Sequence, residues 1–313
     1  DTDADTDADT DADTDSDTDA DTDADTDTDT ATIHTGLSVV ALTITAATEI
    51  DTKQTLEVAV EAEWSDGSFS DVTSQAAYSS DDADVLDFFV GSTGQPIDAG
   101  AVVFTASYGG ISENASVDVS LASAASGDIW INEVLVDGSV DGDPNGDGTA
   151  DATDDEFIEL VNAIDATVDL SQVTITENDL VGSPRHTFPA GTILRAGETL
   201  VVFGGGDTST LLVPSAQFQT AQNNDAGIAF GLNLDDDGDT IQLWTPSGAL
   251  ITELAYGTDD PTVPAGTDQS VVRSPDETGT TWVEHSTVGT GDFSPGTLAD
   301  GSPFEGYAAR YTP

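Results

Sequence analysis

Residues 129–162 read IWINEVLVDGSVDGDPNGDGTADATDDEFIELVN. Two apolar runs, Ile129–Val136 and Glu156–Val161, flank an acidic, glycine-rich loop. β-Branched and aromatic residues with turn formers at both ends predict that each run is a buried strand. Inside the loop, Asp143-Pro-Asn145-Gly-Asp147-Gly148 is followed by five residues and then Asp154. This spacing matches the calcium-loop pattern D-x-[DN]-x-[DN]-G, with Asp in place of the final Glu. Oxygens at alternate positions converge on one point, and Gly148 permits the sharp turn. The pattern assigns Asp143, Asn145, Asp147, Thr149, Asp151 and Asp154 as calcium ligands, with Asp155 and Glu156 adding nearby oxygens. The competing reading is a metal-free acidic turn, since Asp, Asn and Gly are ordinary loop residues and this chain is rich in Asp. Flanking strands make this a loop between strands, not a helix-loop-helix hand.

The whole chain has 313 residues, room for two domains of ordinary size. Five basic residues face 61 acidic ones, a formal charge of −56. Such a chain repels nucleic acid and anionic membrane, because phosphate binding needs Lys and Arg. Its acidity fits either divalent-cation binding or adaptation to high salt. There is no Cys, so no disulfide, thiolate metal site or thiol nucleophile is possible. There is no Met either, which predicts a processed or trimmed chain whose leader is missing. No apolar run approaches the ~18–20 residues of a membrane span.

Residues 1–35 form a repeat stalk. Over the first thirty positions Asp alternates with Thr, Ala or Ser in Asp-Thr-Asp-Ala units. Nothing here buries apolar surface, and Asp and Thr compete for the backbone bonds a helix needs. Like charges roughly 6–7 Å apart sit inside the ~8 Å Debye length, so repulsion keeps the chain extended. The composition fits a solvated linker. It also fits an O-glycosylated stalk carrying sugar on Thr2, Thr6, Thr10, Thr14, Thr18, Thr22 and Thr26.

Residues 36–121 read as short strands and turns. From Thr55 to Trp64, Leu56, Val58, Val60, Ala62 and Trp64 share one face, and Glu57, Glu61 and Glu63 the other. This alternation marks a half-buried antiparallel strand. Ser65–Ser68 is a turn, and Ala101–Tyr108 and Ala115–Val119 are further strands. The segments Leu56-Glu-Val-Ala-Val-Glu-Ala, Trp64-Ser-Asp-Gly-Ser, Tyr78-Ser-Ser-Asp81 and Gly100-Ala-Val-Val-Phe-Thr-Ala-Ser-Tyr108 resemble the bacterial Ig-like group 2 family. Phe88-Phe89-Val90 departs from that pattern. The resemblance implies a β-sandwich serving as a spacer or adhesion module. Residues 122–127 (ASAASG) are small, and a flexible linker is expected there.

Residues 128–313 continue in strands. Val168–Thr176 alternates, Leu200–Phe203 is a core strand ended by Gly204-Gly-Gly206, and Thr245–Gly248 turns between Thr240–Trp244 and Ala249–Tyr256. Asp235–Asp239 reads as a strand-joining acidic turn rather than a second calcium site. A Gly- and Pro-rich tail after Thr297 is expected to lie on the surface. Ile131-Asn-Glu-Val134, the 142–148 loop, Asp155–Asn162, Gly197–Phe203, Leu232–Thr240, Ser270–Arg273, Trp282 and Ser294-Pro-Gly296 resemble the lamin-tail domain. That resemblance implies an Ig-type sandwich with a binding or structural role and no catalytic residues.

His34, His186 and His285 are far apart and lack metal spacing such as H-E-x-x-H. His285 beside Glu284 reads as a surface pair. No G-x-S-x-G elbow or phosphate loop occurs. The fold expected is all-β, two tandem Ig-like sandwiches after an extended tail. The function expected is a non-enzymatic structural or adhesive protein, extracellular or on a bacterial surface. Its partners would be further copies, neighbouring surface proteins or glycans, with no nucleic acid and no membrane span. Two alternatives remain: a filament subunit built on the repeat, and the accessory binding region of a secreted hydrolase.

Overall fold

The Thr55–Trp64 alternation folds as two strands on either side of a bend. Val58 turns its N–H to the Ser92 carbonyl, and the chain re-enters a different sheet. The computed structural model in which this is seen describes residues 34–137, 142–177, 184–221, 231–266 and 268–306. Residues 1–37 and 38–313 form separate units, and both sandwiches lie in the second.

The first sandwich comprises β1 (Val39–Thr45), β2 (Glu49–Asp51), β3 (Leu56–Glu57), β4 (Ala59–Trp64), β5 (Phe69–Asp71), β6 (Ala77–Ser80), β7 (Leu86–Val90), β8 (Thr93–Pro96), β9 (Gly100–Tyr108) and β10 (Ile111–Ser120). They pair as β1-β4-β5, β2-β10-β9-β6 and β3-β8-β7. Leu56, Val58, Val60 and Ala62 are buried with Leu86, Val102, Phe104 and Val117. The Phe88 segment that departs from the family pattern builds the β7–β8 hairpin. Its ring stacks on Tyr78 at 5.5 Å and meets Phe104 at 5.7 Å.

The second comprises β11 (Ala122–Ser123), β12 (Ile129–Leu135), β13 (Phe157–Asn162), β14 (Val168–Asp169), β15 (Thr174–Thr176), β16 (His186–Thr187), β17 (Ile193–Leu194), β18 (Thr199–Phe203), β19 (Ala216–Thr220), β20 (Thr240–Trp244), β21 (Leu250–Ala255), β22 (Val271–Ser274) and β23 (Thr281–Glu284). Its main sheet runs β19-β18-β13-β12-β22-β23, facing β16-β15-β20-β21 across a core that includes Ile131, Ile158, Leu160, Phe188 and Tyr256. The main sheet is covered on its other face too, where Leu135, Phe157, Val201 and Phe203 pack with Leu211, Phe218 and Phe293.

Three expectations are corrected. Val168–Thr176 is not one strand: Gln172 adopts φ 62°, and the chain leaves β14 for β15 in another sheet. Residues 122–127 are not a loose linker, because Ala122 and Ser123 pair in parallel with Val168 and Asp169, and Ala122 and Ala124 are buried. Residues 298–306 are no surface tail. Ala299 and Phe304 are buried, and Thr297 bridges to Pro303.

The first sandwich meets the second through a short polar chain. Thr52 Oγ1 donates to the Thr167 carbonyl (2.5 Å) and accepts from Ala122 N–H (3.0 Å), while Thr167 Oγ1 donates to the Ile97 carbonyl (2.5 Å). Thr52 and Thr167 are buried. Two ion pairs flank them, Lys53–Asp128 and Arg195–Asp98, each at 2.6 Å.

Candidate functional site

The acidic loop leaves β12 and returns as β13. Asp143 spans its tight turn, accepting from Asp147 N–H (3.1 Å) on one oxygen and from Gly148 N–H (2.8 Å) on the other. Gly148 has φ +92°, the left-handed geometry expected of it. Asn145 is fully buried: its Oδ1 accepts from Asp147 N–H (3.0 Å) and its amide donates to the Asp154 carbonyl (3.4 Å). Asp143, Asn145, Asp147 and Asp154 are thus linked by direct bonds. Thr149 and Asp151 sit at the exposed end. Thr149 N–H donates to Asp147, and Asp151 caps the N–H groups of Thr153 and Asp154, which holds its carboxyl below the usual value. Asp155, a nearby oxygen in the sequence pattern, is a buried brace that accepts from Asn145 and Asp151 N–H.

The loop rests on Gly204-Gly205-Gly206. A β-carbon at Gly204 would collide with the Thr153 carbonyl, one at Gly205 with the Asp154 carboxylate, and one at Gly206 with Asn145 and Asp147. Read from sequence, this triplet only ended a strand. Three successive glycines also mark a place where something must approach closely, and that signal pointed here.

Negative charge accumulates in the loop. Burial raises the Asp154 carboxyl, and Asp151 and Asp147 raise it further. Burial also raises Asp155, with Asp143 and Asp147 adding to the effect against two backbone hydrogen bonds. Next to the loop, Glu156 is pushed up to about 9, chiefly by burial, while Leu234 and Asn233 N–H groups oppose the rise. All of these donors are oxygen, the set a hard cation takes. Asp235–Asp239 is a turn leading into β20. Its Asp235 carbonyl accepts from the Tyr256 hydroxyl (3.0 Å) and from Gly238 N–H. Thr2, Thr6, Thr10, Thr14, Thr18, Thr22 and Thr26 lie outside the described residues.

A second polar cluster escaped sequence reasoning. Glu133 accepts from Ser270 Oγ (2.5 Å), Ser294 N–H (2.9 Å) and Ser294 Oγ (2.6 Å). Glu159 accepts from Asn132 (2.9 Å) and Gly296 N–H (2.7 Å). Asp276 accepts from Ala299 N–H (3.2 Å), so carboxyls tie the C-terminal segment to the main sheet. His285 is not a surface residue; it is fully buried with Nδ1 against the Gly291 carbonyl at 3.1 Å. His186 is equally buried, packed edge-on to Phe188, and burial lowers it to about 4. The described cations all hold structural contacts. Besides Lys53 and Arg195, Arg185 pairs with buried Glu177, and Arg273 lies between the Trp130 and Trp282 rings at 5.0 and 5.1 Å.

Among the described residues no helix is long and apolar enough to cross a membrane. No curated protein matches the sequence. Among solved structures, domains 5-6 of the S-layer protein SbsC align at 14% identity over 70% of this chain and 96% of that one, with a TM-score of 0.23. A DUF4876 family protein from Bacteroides thetaiotaomicron aligns at 10% identity over 74% of this chain and 77% of that one, with a TM-score of 0.33. Both superpose loosely. The acidic loop between β12 and β13 and the main-sheet strands β12, β13, β18 and β19 lie in the region where a family model does fit: residues 122–258 match the Lamin Tail Domain.

Proposed function

We propose that the chain is a non-enzymatic extracellular protein with a structural or adhesive role. Its two sandwiches act as one stiff module, calcium fills the Asp143–Asp154 loop, and the N-terminal repeat serves as an acidic, sugar-bearing stalk. The observation carrying this reading is the junction. Buried Thr52 and Thr167 bond across it, and two of the chain's five basic residues form ion pairs there. A hinge would leave such groups to water. A spacer that bears load or sets a fixed distance needs them buried and paired.

In calorimetry of the full chain, both sandwiches are expected to melt in one transition. Thr167→Val leaves the Ile97 carbonyl without its donor, which costs about 1–3 kcal/mol and splits the transition. Two separate transitions in the unaltered protein would sink the stiff-module reading.

A further inference from the structure

We propose that the outer face of the β16-β15-β20 sheet binds a neutral saccharide chain. The strand alternation that buries His186, Ile175 and Leu243 turns Thr187, Thr174 and Trp244 outward. These three lie in one row across the sheet, Thr174 being paired with both others. Thr176 and Gln242 form the next row. Together they floor a groove of about 600 Å³, within the roughly 300–1,000 Å³ of small-ligand sites. A second depression of about 500 Å³ shares the Thr245-Pro246 turn with it, so the trough extends toward β11.

The lining selects the ligand class. The first groove carries no charged side chain, in a chain of 61 acidic residues. The second has one carboxylate, Asp169, already bonded to Ser171 N–H. An anion is therefore repelled by the surrounding surface, and the two carboxylates at the margins, Asp169 and Glu253, already accept from Ser171 N–H and Gln242. An apolar ligand would cover the Trp244, Pro184 and Pro246 surface but leave the Thr hydroxyls and Gln amides of the floor without partners. A pyranose fits both halves of the surface: its C–H face lies on an aromatic ring, and its hydroxyls exchange hydrogen bonds with Thr and Gln. Trp244 is held for this contact, since its indole N–H donates to Thr176 Oγ1 at 3.2 Å. Gln242 is likewise held by Glu253. An added peptide strand needs an unpaired sheet edge, and this groove lies on a face. The inference rests on the adhesive half of the function proposed above and supplies what the module would hold.

The test is titration calorimetry of the full chain with maltohexaose, cellohexaose, chitohexaose and mannohexaose. Hexagalacturonate and an uncharged Gly/Ser/Pro peptide serve as contrasts. At least one neutral hexasaccharide is expected to bind and the galacturonate not to. Trp244→Ala is expected to weaken binding by about tenfold or more, the ratio that roughly 1.4 kcal/mol of lost stacking produces. Gln242→Ala and Trp244→Phe, which disturb packing less, should each reduce affinity. Absence of binding across the neutral series overturns the site, as does binding that survives all three variants. Preference for the peptide or the galacturonate overturns the saccharide assignment. These outcomes are separable from the stiff-module reading, because the single melting transition does not depend on the groove.

Discussion

Glu133 and Glu159 face each other across the β12–β13 pair, and both are fully buried. Burial raises both carboxyls, and for Glu159, which stands well above its usual value, the neighbouring Glu133 charge raises it further. Carboxyls raised in this way keep a proton to higher pH in the folded chain than in the unfolded one. Their contribution is complete below the ordinary value of 4.5 and is lost as pH rises through the folded value. Glu156, at about 9, extends the same slope upward. Melting temperature should therefore fall between about pH 5 and pH 9. Glu159→Gln, which stays neutral and nearly isosteric, should flatten that fall and be more stable than the parent at the alkaline end. A melting curve unchanged in slope would show that Glu159 does not hold the proton.

Calcium should stabilise the second sandwich. If millimolar calcium reaches ~100 times the dissociation constant, linkage gives ~2.7 kcal/mol. Asp147→Ala should remove the thermal shift while leaving the metal-free melting temperature nearly unchanged, because Asp147 is exposed. Gly204→Ala should do the reverse. Its β-carbon meets the Thr153 backbone, so the loop must lift, at a cost of ~1–3 kcal/mol without calcium. A loop that is only a turn would show no calcium shift in any variant.

Arg273 is held by geometry as much as by charge. Nε and Nη2 both donate to the Ile131 carbonyl, and Nη1 donates to Gly279. Lysine keeps the cation but cannot present a planar fork between two rings. Arg273→Lys should therefore cost on the order of 2 kcal/mol in urea unfolding. A loss indistinguishable from zero would mean that the rings, not the fork, set the β22 position.

The first sandwich was legible because one face of β4 is solvated. Val60 and Ala62 alternate with Ala59, Glu61 and Glu63, and that period survives in the residue order. The β12 and β13 runs were legible as strands, but not the role of their glutamates. Every residue of Phe157–Asn162 is buried, so no alternation separates Glu159 from a solvent-facing carboxylate. The last segment was misread for a related reason. It is packed down through few apolar residues, Ala299 and Phe304, set among Gly and Pro. Its attachment comes from carboxyls distant in sequence. The tight turn of the loop followed from spacing, since a turn is local. The glycine floor came from residues about fifty positions onward, and the junction from pairs 70 or more apart.

The placement of the described cations also bears on resistance to proteolysis. Proteases of the trypsin type cut after Lys or Arg on an extended, accessible segment. Here Lys53 is tied at the junction, Arg185 is buried, Arg195 is paired, and Arg273 is clamped between two indoles. Among the described residues, the contacts that stiffen the fold also withdraw Arg185, Arg195 and Arg273 from the enzymes that would recognise them, whereas Lys53 stays exposed in its turn.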